Sequence, residues 1–84
     1  MNLKQLHQFV VLAETLNFTT AAARLNMSQP PLSVSIRALE EELGERLFER
    51  ASRGVKLTAV GRSVLDHARR TLFHAEQFRH SVQL

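Results

Sequence analysis

Eighty-four residues suffice for one small domain, and a domain of that size withdraws only about 60% of its unfolded surface from water, so its core is expected to be marginal. Cysteine is absent, which excludes disulfides, thiolate nucleophiles and sulfur-ligated zinc, and no run approaches the ~18 apolar residues of a membrane span; a soluble, cytoplasmic protein is expected. The net charge of +3 is small but segregated: Arg46, Arg50, Arg53, Lys56 and Arg62 face Glu49 alone, directly after Glu40, Glu41, Glu42 and Glu45, a pattern that suits an oriented contact with a polyanion.

Leu3, Leu6, Val10 and Ala13, widened by Phe9, Leu12 and Leu16, recur at helical spacing and predict a first helix from Asn2 to about Leu16. Asn2 is placed to cap it, with Gln5 three residues on. Asn17-Phe18 breaks the pattern, and Thr19 is the expected cap of a short second helix, Thr20 to Leu25, whose alanines allow close approach by a neighbour. Asn26, Met27 and Ser28 form a tight connection, and Ser28 is expected to cap a third helix with Pro30 and Pro31 in its first turn. Leu32, Ile36, Leu39 and Leu43 lay one apolar stripe along this helix, and Gly44 stops it.

Leu47-Phe48 and Val55-Lys56-Leu57 flank the polar loop Ala51-Ser52-Arg53-Gly54, the pattern of a small hairpin, or wing, with a basic tip. Thr58 is the expected cap of a last helix running to the end of the chain, where Leu65, Ala68, Leu72, Ala75, Arg79 and Val82 form a heptad-like seam flanked by Val64, Phe73 and Phe78. Some 25 residues of helix span about 37 Å, too long to lie wholly on so small a core, so this helix is expected to project and to pair with a second copy. The pattern runs to the last residue without a stop signal, which suggests a piece of a longer protein. Residues 1–57 are thus read as one domain and 58–84 as a dimerising linker.

Two short helices joined by a three-residue connection form a helix-turn-helix, which docks its second helix in the DNA major groove. On a helical wheel the apolar stripe leaves Gln29, Pro30, Ser33, Val34 and Arg37 to face a groove: Gln29 suits an adenine edge, Arg37 a guanine or phosphate, and Val34 a thymine methyl. Val34 is the informative member, because an aliphatic side chain centred on an exposed face has no folding reason to be there. Thr19 and Ser28 at helix starts, with Arg50, are candidate phosphate contacts; Arg53 at the hairpin tip suits the minor groove.

The ordered series Phe18-Thr19-Thr20-Ala21-Ala22-Ala23-Arg24-Leu25, Ser28-Gln29-Pro30-Pro31-Leu32-Ser33, Ile36, Leu39-Glu40, Leu43-Gly44, Leu47-Phe48-Glu49-Arg50 and Leu57-Thr58-Ala59-Val60-Gly61 resembles the LysR-type transcriptional regulators over nearly the whole chain. The resemblance implies a mainly α winged helix-turn-helix, a long linker helix that pairs in a homodimer, tetramers on promoter DNA, and a C-terminal domain, outside this chain, that binds a small-molecule inducer. It also implies groove contacts at Gln29, Pro30 and Ser33 and a minor-groove approach by Arg53. Many members carry a long basic or polar side chain where Val34 stands, so base readout is expected to rest on Gln29, Ser33, Arg37 and DNA shape.

Other classes fit less well. His67 and His74 are about 10.5 Å apart along a helix, too far for one metal, and His7 and His80 add no partner. The Glu40-Glu41-Glu42 cluster reads as a solvated helix end rather than a catalytic centre. The rival is a protein-interaction module, with the third helix in a protein groove and the last in a coiled coil; it leaves the basic hairpin without a role.

Overall fold

The first helix begins where its cap predicts. Asn2 is extended and its side chain accepts the Gln5 N–H at 2.7 Å, opening α1 (Leu3–Thr15). The computed structural model describes residues 1–82, with α1 followed by α2 (Phe18–Arg24), α3 (Gln29–Leu43), β1 (Phe48–Ala51), β2 (Gly54–Leu57) and α4 (Ala59–Val82). This is the expected winged helix-turn-helix with a long last helix; the part of its expected course beyond Val82 lies outside the described residues.

Two caps differ from expectation. Asn17, not Thr19, opens α2, its side chain accepting the Thr20 N–H at 2.9 Å. Starting two residues earlier draws Phe18 into the helix, where it leans on the core. Ser28 does occupy the cap position of α3, but its hydroxyl makes no capping hydrogen bond. The reason lies in the next three residues: a cap side chain accepts from the second or third helical N–H, and here both are prolines, which have none. Gly44 closes α3 in the left-handed conformation at φ 72°, as expected.

The core is one cluster to which every element contributes: Phe9 and Leu12 from α1, Ala21 and Ala22 from α2, Leu32, Ile36 and Leu39 from α3, Leu47 and Phe48 before and in β1, Val55 from β2 and Ala68 from α4. Phe9 and Phe48 meet edge to face with centroids 5.5 Å apart. Leu43 departs from its predicted stripe and is 45% exposed, so the buried side of α3 ends at Leu39.

The wing is a two-stranded antiparallel sheet pairing Phe48 with Leu57 and Ala51 with Gly54, with Ser52-Arg53 at its tip. Near its turn the second strand is tied to the end of α1: Leu16, in the left-handed region at φ 52°, turns its carbonyl toward the Val55 N–H. Gly54, at φ 95°, passes so close that a Cβ there would lie 2.9 Å from that carbonyl oxygen.

Thr58 caps α4 as expected, accepting the Gly61 N–H at 3.0 Å while donating to the Arg46 carbonyl at 2.7 Å. The first half of α4 packs on this core: Gly61 presses against the Leu47 backbone, Ala68 is only 4% exposed, and Val64, Leu65 and Leu72 lean on the same cluster. Its distal half extends beyond, giving the described chain a long dimension of 49 Å.

Candidate nucleic-acid interface

The helix-turn-helix is held by backbone geometry first. Leu25 closes α2, Asn26 takes a left-handed φ of 55°, and the Met27 N–H donates to the Ala22 carbonyl at 2.9 Å, so α3 leaves the turn in a fixed direction. Side chains then lock α3 to α1. Ser35 donates to the buried Gln8 side chain, Gln8 reaches Met27 Sδ at 3.8 Å, and Gln5 Nε2 donates to the Ser35 carbonyl at 2.9 Å.

With Leu32, Ile36 and Leu39 buried, the opposite side of α3 is open. Gln29, Pro30, Val34 and Arg37 are exposed and Ser33 is half-buried at the flank, the arrangement expected of these residues. Val34 is 63% exposed at the centre of that side and is not part of the hydrophobic core. Gln29 meets Thr19 across the turn, Oγ1 to Oε1 at 3.5 Å, which brings the starts of α2 and α3 together. Thr19 is thus not a cap and spends its hydroxyl hydrogen on Gln29, whereas the Ser28 hydroxyl is exposed, makes no capping bond and is open to an external acceptor.

The wing stands beside α3 on one flank. Ser33 and Arg37 share a shallow cleft with Phe18, Phe48 and Arg50. The Arg50 guanidinium lies over the Phe18 ring, 5.3 Å from its centroid, which steers the charge without neutralising it. Two bases of the predicted strip are paired: Arg46 with Glu40 at 3.7 Å and Lys56 with Glu49 at 3.7 Å. Among the described residues Arg37, Arg50 and Arg53 have no carboxylate partner, and all three are exposed. Arg37 on α3 and Arg50 and Arg53 in the wing thus keep their charge unpaired among the described residues, as do Lys4 on α1 and Arg62 and Arg79 on α4.

Sequence reasoning missed Glu40. Read as part of a solvated acidic cluster, it is instead 11% exposed at its side chain, where one carboxylate oxygen accepts the N–H groups of Leu47 at 2.8 Å and Phe48 at 3.1 Å. It stitches the end of α3 to the first strand and so sets where the wing stands. The available signal was its spacing: Glu40 follows Ile36 by four and Leu39 by one, on the flank of the buried stripe, whereas Glu41 falls opposite the stripe and Glu42 on its other flank.

On α4 the expected seam splits in two. Ala68 is covered within the chain, and Leu65, Leu72 and Ala75 are half-buried; Val82, Phe73 and Phe78 are exposed. No group of three His, Asp or Glu side chains converges on a metal-sized site among the described residues. No helix there is long and apolar enough to cross a membrane.

Comparison with known proteins agrees with this geometry. The family described as bacterial regulatory helix-turn-helix protein, lysR family, matches residues 3–62. The regulator TfdT of Cupriavidus pinatubonensis is 53% identical over 72 residues, covering 86% of this chain and 32% of TfdT. ShiR of Corynebacterium glutamicum is 49% identical over 82 residues, covering 98% of this chain and 28% of ShiR. The chain thus spans about a third or less of the curated relatives it matches. Among solved structures, the CbnR DNA-binding domain in complex with DNA superposes with a TM-score of 0.94 at 42% identity, covering 99% of this chain and 95% of that one. The BenM DNA-binding domain on its benA site 1 DNA matches with the same score and identity, covering 99% and 93%. Full-length CbnR, a LysR family transcriptional regulator, matches at 0.94 over 29% of its length. Its fold, its ordered motifs and these relatives agree: the chain belongs to the lysR family of bacterial regulatory helix-turn-helix proteins.

Proposed function

We propose that this chain is the sequence-specific, double-stranded DNA-binding module of a transcription regulator, with α3 in the major groove and the wing reaching the adjacent minor groove. One observation carries the reading: the open side of α3, with an aliphatic Val34 at its centre, adjoins a cleft where the carboxylate-free Arg37 of α3 and Arg50 of the wing come together. In this reading Gln29, Pro30, Ser33, Val34 and Arg37 meet base edges and Arg53 enters the minor groove. Thr19, Ser28 and Arg50 hold phosphates; the prolines that deprive Ser28 of a capping role leave its hydroxyl free for this. DNA complexes of the CbnR and BenM domains, which share this fold at 42% identity, support the reading.

The regulator is proposed to work as a homodimer through α4, and as a tetramer at full length, with a small-molecule inducer bound on a C-terminal domain outside this chain. Leu65, Ala68, Leu72, Ala75 and Val82 were the expected seam. The burial pattern favours a partner contact on its distal part, Ala75 and Val82 with Phe78, because Ala68 is already covered. The protein-interaction alternative has no observation in its favour that the DNA reading lacks.

The test is electrostatic. Duplex affinity is expected to fall steeply with salt, the logarithm of the association constant dropping by about 0.9 for each phosphate neutralised per logarithmic unit of salt. Arg53→Ala is expected to weaken binding and flatten that slope. Duplex binding indifferent to both salt and Arg53→Ala would refute the proposal.

A further inference from the structure

The wing occupies only one flank of α3. At 3.6 residues per turn, Ser33, Arg37 and Glu40 point to that flank, while Pro31, Ser35 and Glu42 point to the other. The other flank is bordered by the start of α1: Gln5 donates to the Ser35 carbonyl at 2.9 Å, and the amino group of Met1 meets Glu42 at 2.6 Å. Lys4 lies between these two contacts in the first turn of α1. It lines a shallow depression with Pro31 and Ser35, and a second with Asn26 and Met27 of the helix-turn-helix connection. Lys4 is exposed, and among the described residues it has no carboxylate partner.

We propose that Lys4 is a backbone phosphate anchor, gripping the DNA strand across the major groove from the wing. The inference rests on the placement of α3 proposed above. A helix about 10–12 Å across fills a major groove about 12 Å wide, so its two flanks face the two sugar-phosphate walls. Arg50 meets one wall and Lys4 the other. Two cations astride the groove fix how far α3 rolls about its own axis, and hence which of its side chains reach the bases. An ammonium suits the task because phosphate needs a point charge and no particular planar geometry. Such a contact adds affinity on any sequence and reads none of it.

The experiment measures duplex affinity across a salt series for the wild type, Lys4→Gln, Lys4→Glu and Arg53→Ala. Lys4→Gln is expected to lower affinity roughly three- to tenfold at 0.1 M salt and to reduce the salt slope by about 0.9 per domain, with base preferences unchanged. Lys4→Glu is expected to lower affinity further, and thermal melting of both variants to stay at the wild-type value, since the side chain is exposed. Methylphosphonate scanning of the duplex adds the position: neutralising one particular phosphate weakens the wild type and leaves Lys4→Gln unaffected. The inference is overturned when Lys4→Gln matches the wild type in affinity and slope while Arg53→Ala still weakens binding. A wild type that ignores duplex DNA would overturn the DNA reading as well, so the two failures are distinguishable.

Discussion

Removing the Glu40 carboxylate tests how the wing is held. In Glu40→Ala the N–H groups of Leu47 and Phe48 lose their acceptor in a setting where both residues are buried. A buried donor stripped of its partner costs about 1–3 kcal/mol, and the partial exposure of this corner lets water recover some of it, so the pair together is expected to cost roughly 2 kcal/mol. For a domain of this size each kcal/mol moves the melting temperature by about 4–8 °C, which gives a drop on the order of 10–15 °C. Glu40→Gln keeps a carbonyl oxygen where both donors point and loses only the 3.7 Å contact with the exposed Arg46, so it is expected to melt within a few degrees of the wild type. Circular dichroism melts give the stabilities, and amide exchange at Leu47 and Phe48 locates the damage. Glu40→Ala melting within about 2 °C of the wild type, with exchange at those two amides unchanged, would refute this account of Glu40.

Gly61→Ala places a Cβ 2.2 Å from the Leu47 carbonyl oxygen, a backbone atom that cannot swing away, so a loss of about 3 kcal/mol or more is expected in a chemical denaturation curve. Phe9→Ala removes a fully buried ring and its edge-to-face contact with Phe48, for an expected loss of roughly 3–5 kcal/mol by the same measurement. Phe78→Asp changes an exposed position, so sedimentation is expected to show a monomer where the wild type is expected to be a dimer, with melting of the isolated fold preserved; a dimer that survives removes Phe78 from the proposed interface. Leu72→Asp is a poorer probe, because Leu72 also leans on its own core and the variant would lose stability as well as any partner.

Much of this architecture was legible because each element announces itself in short-range chemistry. Asn2 with Gln5, Gly44, and Thr58 with Gly61 are local signals, and periodicity alone separated Leu32, Ile36 and Leu39 from Val34 and Arg37. The misreadings share a cause: they depend on what a neighbour in space supplies. Asn17 and Thr19 are both competent caps, and only the packing of Phe18 against the core favours the earlier start. Ala68 fits a dimer seam in sequence and is covered by its own chain in space. Glu40 looks like its two acidic neighbours until the strand it holds is in view. Ser28 is the exception, since the two prolines that disable it as a side-chain cap were readable from the start. Of the candidate site, the exposed side of α3 and the wing tip were visible in the sequence; which bases stayed unpaired was not, because Arg46 and Lys56 meet their carboxylates only in the fold.

The most direct test of α3 as the reader is to change what it reads. Val34→Gln puts an adenine-seeking amide at the centre of the open side without touching the core. In a selection of bound duplexes from a randomised pool, the preferred base is expected to shift at one position within each half-site, with affinity for non-cognate duplex held within about twofold of the wild type. Identical base preferences for Val34→Gln and the wild type would contradict the placement of α3 against the bases.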